Sequence, residues 1–217
     1  MQTKKIIVLI SGDGSNLQAL IDKLHHPKDA KDASEIVLVI SNNADAYGLQ
    51  RAKDANIKQL VIRSNAQITQ ADYDALLSIE IEKQQADLIL LAGFMRILGA
   101  PFVHQYGHKM LNIHPSLLPK YQGINTHQRA LDNADKEHGA TVHFVTQDLD
   151  NGPIVLQAKV PVFDDDNVDE LSARVRTQEH LIYPLSAQWF LCGRLNINKG
   201  KVELDGRALS PTGYAPD

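Results

Sequence analysis

The sequence predicts an α/β protein: a doubly wound, mostly parallel sheet with helices on both faces and a C-terminal hairpin. Three observations predict it. Aliphatic, β-branched runs such as "KKIIVLIS" and "ADLILLAGF" lack polar alternation, as strands buried on both faces require. Segments with apolar residues at helical spacing separate these runs, so crossover helices join parallel strands. Past residue 124 that rhythm gives way to alternating strands and one long helical pattern.

The first strand reads over 4–11. Helix 16–26 follows, with Leu17, Leu20, Ile21 and Leu24 on one face. His25 and His26 close it and are expected to be exposed. A second strand (35–42), a second helix (47–56) and a short third strand (58–63) come next. "QADYDALLSIEIEKQQ" (70–85) is an amphipathic helix leading into the buried strand 86–94. A short helix over 99–107, with Pro101 near its start, precedes the fifth strand, 109–114. Helix 126–134 and strands 140–146 and 153–162 follow. The long helix 168–193 contains Pro184, which should kink or split it. "RLNINKGKVELDG" reads as a hairpin around Lys199 and Gly200, and "SPTGYAPD" as a tail, ordered first and then frayed. "DDDN" (164–167) is a solvated acidic lead into the long helix.

With 217 residues, 43% apolar and 22% charged, the chain has the composition of one soluble domain, 1–217. A net charge of -4 gives no basic face for nucleic acid. No apolar run reaches membrane length, so a cytoplasmic protein is expected. The single cysteine, Cys192, excludes an internal disulfide and reads as a small core hydrophobe. No HExxH or Cys/His pair at zinc spacing occurs, and no metal is expected.

Four segments lie at predicted carboxyl ends of strands, where doubly wound sheets bind ligands. In "ISGDGSNLQAL", Gly12 and Gly14 permit a tight turn, and Ser15 or Asn16 opens a helix whose free N–H groups suit an anion. The segment is neither GxGxxG nor a P-loop. A plain capped turn and a phosphate site both remain open. "LAGFMRILG" offers backbone groups and apolar surface for a flat heteroaromatic ring, or else simply leads into a helix. In "KMLNIHPSLLPKYQG", Asn112 and His114 share one strand face, bringing an amide donor beside a proton carrier. A structural histidine is the alternative. "VTQDLDNGPIV" is an Asx-rich turn; Asp150 beside an imidazole would favour and orient its charged form. His143 is either a supporting partner or a buried polar residue.

The segments "SGDGSNLQA", "SNNADAYGLQRA", "LAGFMRIL", "LNIHPSLLPKYQG", "HGATVHFVTQDLDNGPI" and "RVRTQEHLIYP" together resemble the phosphoribosylglycinamide formyltransferase family, folate-dependent enzymes of purine synthesis. They occur in that family's order and span residues 6–184. Methionyl-tRNA formyltransferases share "HPSLLP" but carry a further C-terminal domain, and formyltetrahydrofolate hydrolases usually carry an N-terminal regulatory one. This chain's length and its strand from residue 4 favour the smaller enzyme.

The resemblance implies a Rossmann-like formyltransferase fold. Residues 1–110 form its nucleotide/phosphate-binding part and 111–217 its catalytic and folate-binding part. It implies 10-formyltetrahydrofolate as co-substrate and glycinamide ribonucleotide (GAR) as acceptor. Asn112, His114 and Asp150 are the implied catalytic set. Gly14, Ser15 and Asn16 hold the substrate phosphate, and Arg176, Thr177, Gln178 and Glu179 reach the ribonucleotide. Met95, Arg96, Ile97 and Leu98 meet the folate, with Asn112 and the turn Thr146, Gln147, Asp148, Leu149 and Asp150 around the pterin. The implied partners are small molecules, with no nucleic acid or membrane, for a monomer or weak homodimer.

Three positions depart from the family pattern. Gln70, counted among the implied folate contacts, stands where relatives often carry a folate-side arginine. Asp13 is a poor neighbour for a phosphate unless it points away. Gln122 replaces an expected proline, which should loosen its loop without touching the chemistry.

Overall fold

The computed structural model describes residues 3–26, 33–63, 68–198 and 200–214. Five strands run parallel: β1 (Lys4–Ile10), β2 (Ser34–Ser41), β3 (Gln59–Val61), β4 (Leu88–Leu91) and β5 (Met110–His114). Two more, β6 (Glu137–Phe144) and β7 (Ile154–Pro161), add antiparallel to complete a seven-stranded sheet in the order β3-β2-β1-β4-β5-β6-β7. The winding direction reverses between β1 and β4. A crevice therefore opens beyond their carboxyl ends, the usual ligand position in such sheets.

The central strands alternate between two apolar cores because successive side chains leave opposite faces of the sheet. Ile6, Val8 and Ile10 pack with α1 (Ser15–Leu24), α2 (Tyr47–Asp54), α5 (Thr126–Asp132) and α6 (Val168–Leu191). Ile7 and Leu9 pack on the other face with α3 (Gln70–Gln84) and α4 (Ala100–Tyr106). A separate small antiparallel sheet joins β8 (Leu195–Asn198), β9 (Lys201–Leu204) and β10 (Arg207–Ala208), extending the expected hairpin by one short strand. Its turn residue Lys199 and tail residues 215–217 lie outside the described residues. Within the described part of the tail, the Tyr214 N–H donates to the Val155 carbonyl at 2.8 Å.

Several expectations are corrected. Pro184 does not split the long helix: α6 runs unbroken for 24 residues. A continuous buried face through Leu171, Val175, Ile182, Tyr183 and Ala187 holds the turn whose hydrogen bond proline removes. Cys192 is exposed rather than in the core, because it follows the last turn of α6 as its C-cap. His25 is half-buried, its Nδ1 accepting from the Ile36 N–H at 3.2 Å. Asp166 in the acidic cluster is not solvated; both its carboxylate oxygens accept from Arg174 at 2.7 Å. Among the described residues no helix is long and apolar enough to cross a membrane.

Candidate functional site

The catalytic candidates meet at the junction of the parallel and antiparallel parts of the sheet. β5 and β6 pair with Asn112 opposite His143 and His114 opposite Thr141. Cross-strand partners share a face, so the sheet register itself brings Asn112 and His143 together. Asn112 Nδ2 lies 3.1 Å from His143 Nε2 and donates to Asp150 Oδ1 at 3.4 Å. His143 Nδ1 lies 2.9 Å from the Phe144 carbonyl, an acceptor only, so Nδ1 carries the hydrogen and Nε2 accepts. Burial is the main cause that lowers the His143 pKa, consistent with this neutral ring.

Asp150 sits on the far side of the same cluster at a left-handed φ of 48°, which turns its side chain back toward the strands. Its Oδ2 accepts from the Gly123 N–H at 2.9 Å and lies 3.4 Å from His114 Nδ1. His114 Nε2 lies 2.8 Å from the Tyr121 carbonyl. Both nitrogens of this 5%-exposed ring thus face oxygen atoms.

The loop after β5 is pinned from beneath. Thr141 Oγ1 donates to the Ser116 carbonyl at 2.6 Å and accepts from the Leu118 N–H at 3.1 Å, and Gln157 Nε2 donates to the Leu118 carbonyl at 2.8 Å. Gln122 does not loosen this loop as expected. Its Nε2 donates to the Asp150 carbonyl at 3.2 Å, and its own carbonyl accepts from Arg129 at 2.7 Å. The replacement side chain ties one catalytic loop to the other.

An open cavity adjoins Asn112, His143 and Asp150. Arg96, Ile97 and Leu98 line it on one side, and Thr146, Gln147, Asp148 and Leu149 on the other. Both parts of the chain therefore contribute walls. Met95 and Gln70 are not in the lining: Met95 is exposed, and Gln70 Nε2 donates to the Ile97 carbonyl at 3.0 Å. His114 stands behind Asp150, also outside the lining.

The glycine loop forms a second, polar region. Gly14 has a left-handed φ of 80° and is the N-cap of α1; a Cβ there would meet Gly48 Cα at 2.6 Å. Gly12 needs neither concession, since a Cβ on it meets nothing within 4 Å. The first-turn N–H groups of α1 have no intrahelical acceptor. Asn16 Nδ2 donates to Glu179 Oε2 at 2.9 Å, joining α1 to α6. Burial raises the Glu179 pKa, with the Asn16 bond and the Arg176 charge acting against it. Asn16 Oδ1 and His180 Nε2 are buried with no hydrogen-bond partner among the described residues.

Successive residues of α6 rotate by roughly 100°, so Arg176, Glu179 and His180 fall on one side. Thr177 falls opposite the buried face and spends its hydroxyl on the Ala173 carbonyl at 3.0 Å; Gln178 falls on the other flank. Neither is brought to the glycine loop. Asp13 is paired instead: Arg51 Nη2 lies 3.2 Å from its carboxylate.

Sequence reasoning left His143 undecided and missed Arg51, Ser11 and His180. Ser11 Oγ accepts from the Met95 N–H at 2.8 Å and so couples the two loops. His143 carried one usable signal, its alternation along a strand. Arg51 carried none, because its partner lies 38 residues away. Among the described residues no group of three or more His, Cys, Asp or Glu could hold a metal ion.

A doubly wound sheet with an Asn-His-Asp cluster at the wall of an open cavity beyond its strand ends has the layout of a small-molecule enzyme. Residues 4–186 match the formyl transferase family, to which this chain belongs. It is 52% identical over 212 residues to phosphoribosylglycinamide formyltransferase of Escherichia coli (strain K12), covering 98% of this chain and 99% of that protein. The protein of the same name from Haemophilus influenzae is 50% identical over 212 residues, with the same shares covered. The solved phosphoribosylglycinamide formyltransferase of Coxiella burnetii superposes with a TM-score of 0.91 at 46% identity, covering 98% of this chain and 99% of that one.

Proposed function

We propose that this chain transfers the formyl group of 10-formyltetrahydrofolate to the amine of glycinamide ribonucleotide, giving formyl-GAR and tetrahydrofolate in de novo purine (IMP) synthesis. One observation carries the reading: Asp150 lies between Asn112 and His114 at the inner wall of the cavity, at 3.4 Å from each.

The neutral amine attacks the formyl carbon. The new C–N bond pushes the carbonyl pair onto oxygen, giving a tetrahedral oxyanion. The long Asn112–Asp150 contact is the one the oxyanion displaces, since the bond to His143 is shorter. Donation from Asn112 stabilises that charge, and one such donor contributes about 2.7–4 kcal/mol, while His114 supports Asp150 from behind the cavity wall. Asp150 is held in place by His114 and the Gly123 N–H and, through water, moves the proton from the attacking nitrogen to N10 as the C–N10 bond breaks. No covalent enzyme intermediate is required.

The GAR phosphate sits on Gly14, Ser15 and Asn16, with Arg176 adding charge and Glu179 accepting from a ribose hydroxyl or the amine. Backbone groups of Arg96, Ile97 and Leu98 and the 146–150 turn hold the pterin. Residues 1–110 and 111–217 act as one formyltransferase domain in the cytoplasm, both parts contributing to the folate pocket. The test is a spectrophotometric assay of 10-formyl-folate loss with and without the ribonucleotide. Turnover that depends on the ribonucleotide is expected. Release of formate without it would assign a hydrolase instead.

A further inference from the structure

The loop from Arg96 to Gly99 has no regular structure, yet it forms one wall of the cavity. Three side chains of α3 grip it. Gln70 Nε2 donates to the Ile97 carbonyl at 3.0 Å. Tyr73 lies under the Arg96 guanidinium, 4.0 Å from its ring centroid. Asp74 Oδ2 accepts from the Gly99 N–H at 2.7 Å. Residues 70, 73 and 74 stand at i, i+3 and i+4, one face of the helix, and they meet loop residues 97, 96 and 99. The grip bounds the segment at both ends and leaves Leu98, between them, directed into the cavity lining.

Asp74 is an unusual choice for a merely structural contact. It is 7% exposed, and its Oδ1 is buried with no hydrogen-bond partner among the described residues. Burial raises its pKa, while the Gly99 N–H and the Arg96 charge act against that shift. The loop approaches so closely that a Cβ at Gly99 would meet Asp74 Oδ2 at 2.6 Å. A short segment that offers backbone to a flat ligand binds tightly only if its shape is set before the ligand arrives.

We propose that Gln70 and Asp74 are positioning residues for the formyl-folate, holding the Arg96–Gly99 segment in its binding shape from behind. This rests on the reading of residues 96–98 as folate contacts. It replaces direct folate contact by Gln70 with a role through Ile97. The side-chain hydrogen bonds of Gln70 and Asp74 go to Ile97 and Gly99 and not to the glycine loop, so the two substrates should respond differently.

The experiment measures kcat, KM for each substrate and Tm for Gln70→Ala, Asp74→Ala and Asp74→Asn in the full chain. Asp74→Ala should raise the formyl-folate KM about tenfold, the loss of one hydrogen bond to a charged group. The ribonucleotide KM and the kcat at saturating folate should stay within about twofold. Asp74→Asn should recover most of the affinity, because its amide oxygen still accepts from the Gly99 N–H. Gln70 is exposed, so Gln70→Ala reports even if Asp74→Ala fails to fold; it should raise the folate KM about threefold. An unchanged folate KM in Gln70→Ala, or in Asp74→Ala where that variant folds, or a parallel shift of both KM values with Tm, overturns the positioning role. A wild type that transfers no formyl group in the same assay instead overturns the functional reading beneath it.

Discussion

Arg51 holds Asp13 twice: its Nη2 lies 3.2 Å from the carboxylate, and its Nε donates to the Asp13 carbonyl at 2.9 Å. An acidic residue in the glycine loop is thereby paired with a cation from the next helix. Arg51→Ala leaves the Asp13 charge facing the phosphate and should raise the ribonucleotide KM about fivefold, on the scale of about 1 kcal/mol for exposed charge pairs. Asp13→Asn in the same background should restore it. Steady-state kinetics on the three variants forms the double-mutant cycle.

Two glycines that look equivalent in "SGDGSN" should behave differently. Gly14→Ala forces a left-handed residue with a Cβ against the Gly48 backbone, and should cost about 2 kcal/mol or more. Gly12→Ala meets nothing within 4 Å and should stay within about 0.5 kcal/mol of wild type. Urea denaturation of both variants gives the comparison.

His143 fixes the Asn112 amide at 3.1 Å from a ring nitrogen that can only accept. Removing it lets the amide rotate away from the oxyanion position. His143→Ala should lower kcat about tenfold while leaving the ribonucleotide KM near wild type, the pattern of an interaction expressed in the transition state.

Acid should destabilise the fold through His138. Burial, and then His127 at 3.1 Å, lower its pKa from 6.5 to about 4. The unfolded chain protonates at its ordinary value and the folded one does not. The stabilisation is therefore complete above pH 6.5 and is lost as pH falls from 6.5 to about 4. Glu179 works the other way: its raised pKa makes folding less favourable as pH climbs above its ordinary 4.5. Tm measured across this range should fall less steeply for His138→Gln than for wild type.

Local pattern revealed the strands, because Ile6 to Ile10 and Leu88 to Leu91 are buried aliphatic runs with no competing period. It also showed that Asn112 and His114 share a face. It could not reveal that Asn112 meets His143, which depends on an antiparallel register between residues 31 apart. The Arg51–Asp13 and Gln70–Ile97 contacts are equally non-local, and each decides what a departure from the family pattern means. Pro184 misled because local propensity favoured a break while packing against β6 and β7 sustained the helix. Cys192 misled because an apolar neighbourhood in sequence does not say where the last turn ends. Roles for individual substrate contacts came from the family resemblance, since periodicity places side chains on faces but assigns them no ligand.

The central claim is that Asp150, His114 and Asn112 act together on the formyl group. The most direct measurement is kcat for formyl transfer to glycinamide ribonucleotide by Asp150→Asn and His114→Ala, each compared with wild type at saturating substrates. Both variants should fold, and both should lose about 10²-fold or more in kcat. Near-normal turnover in either would contradict the account.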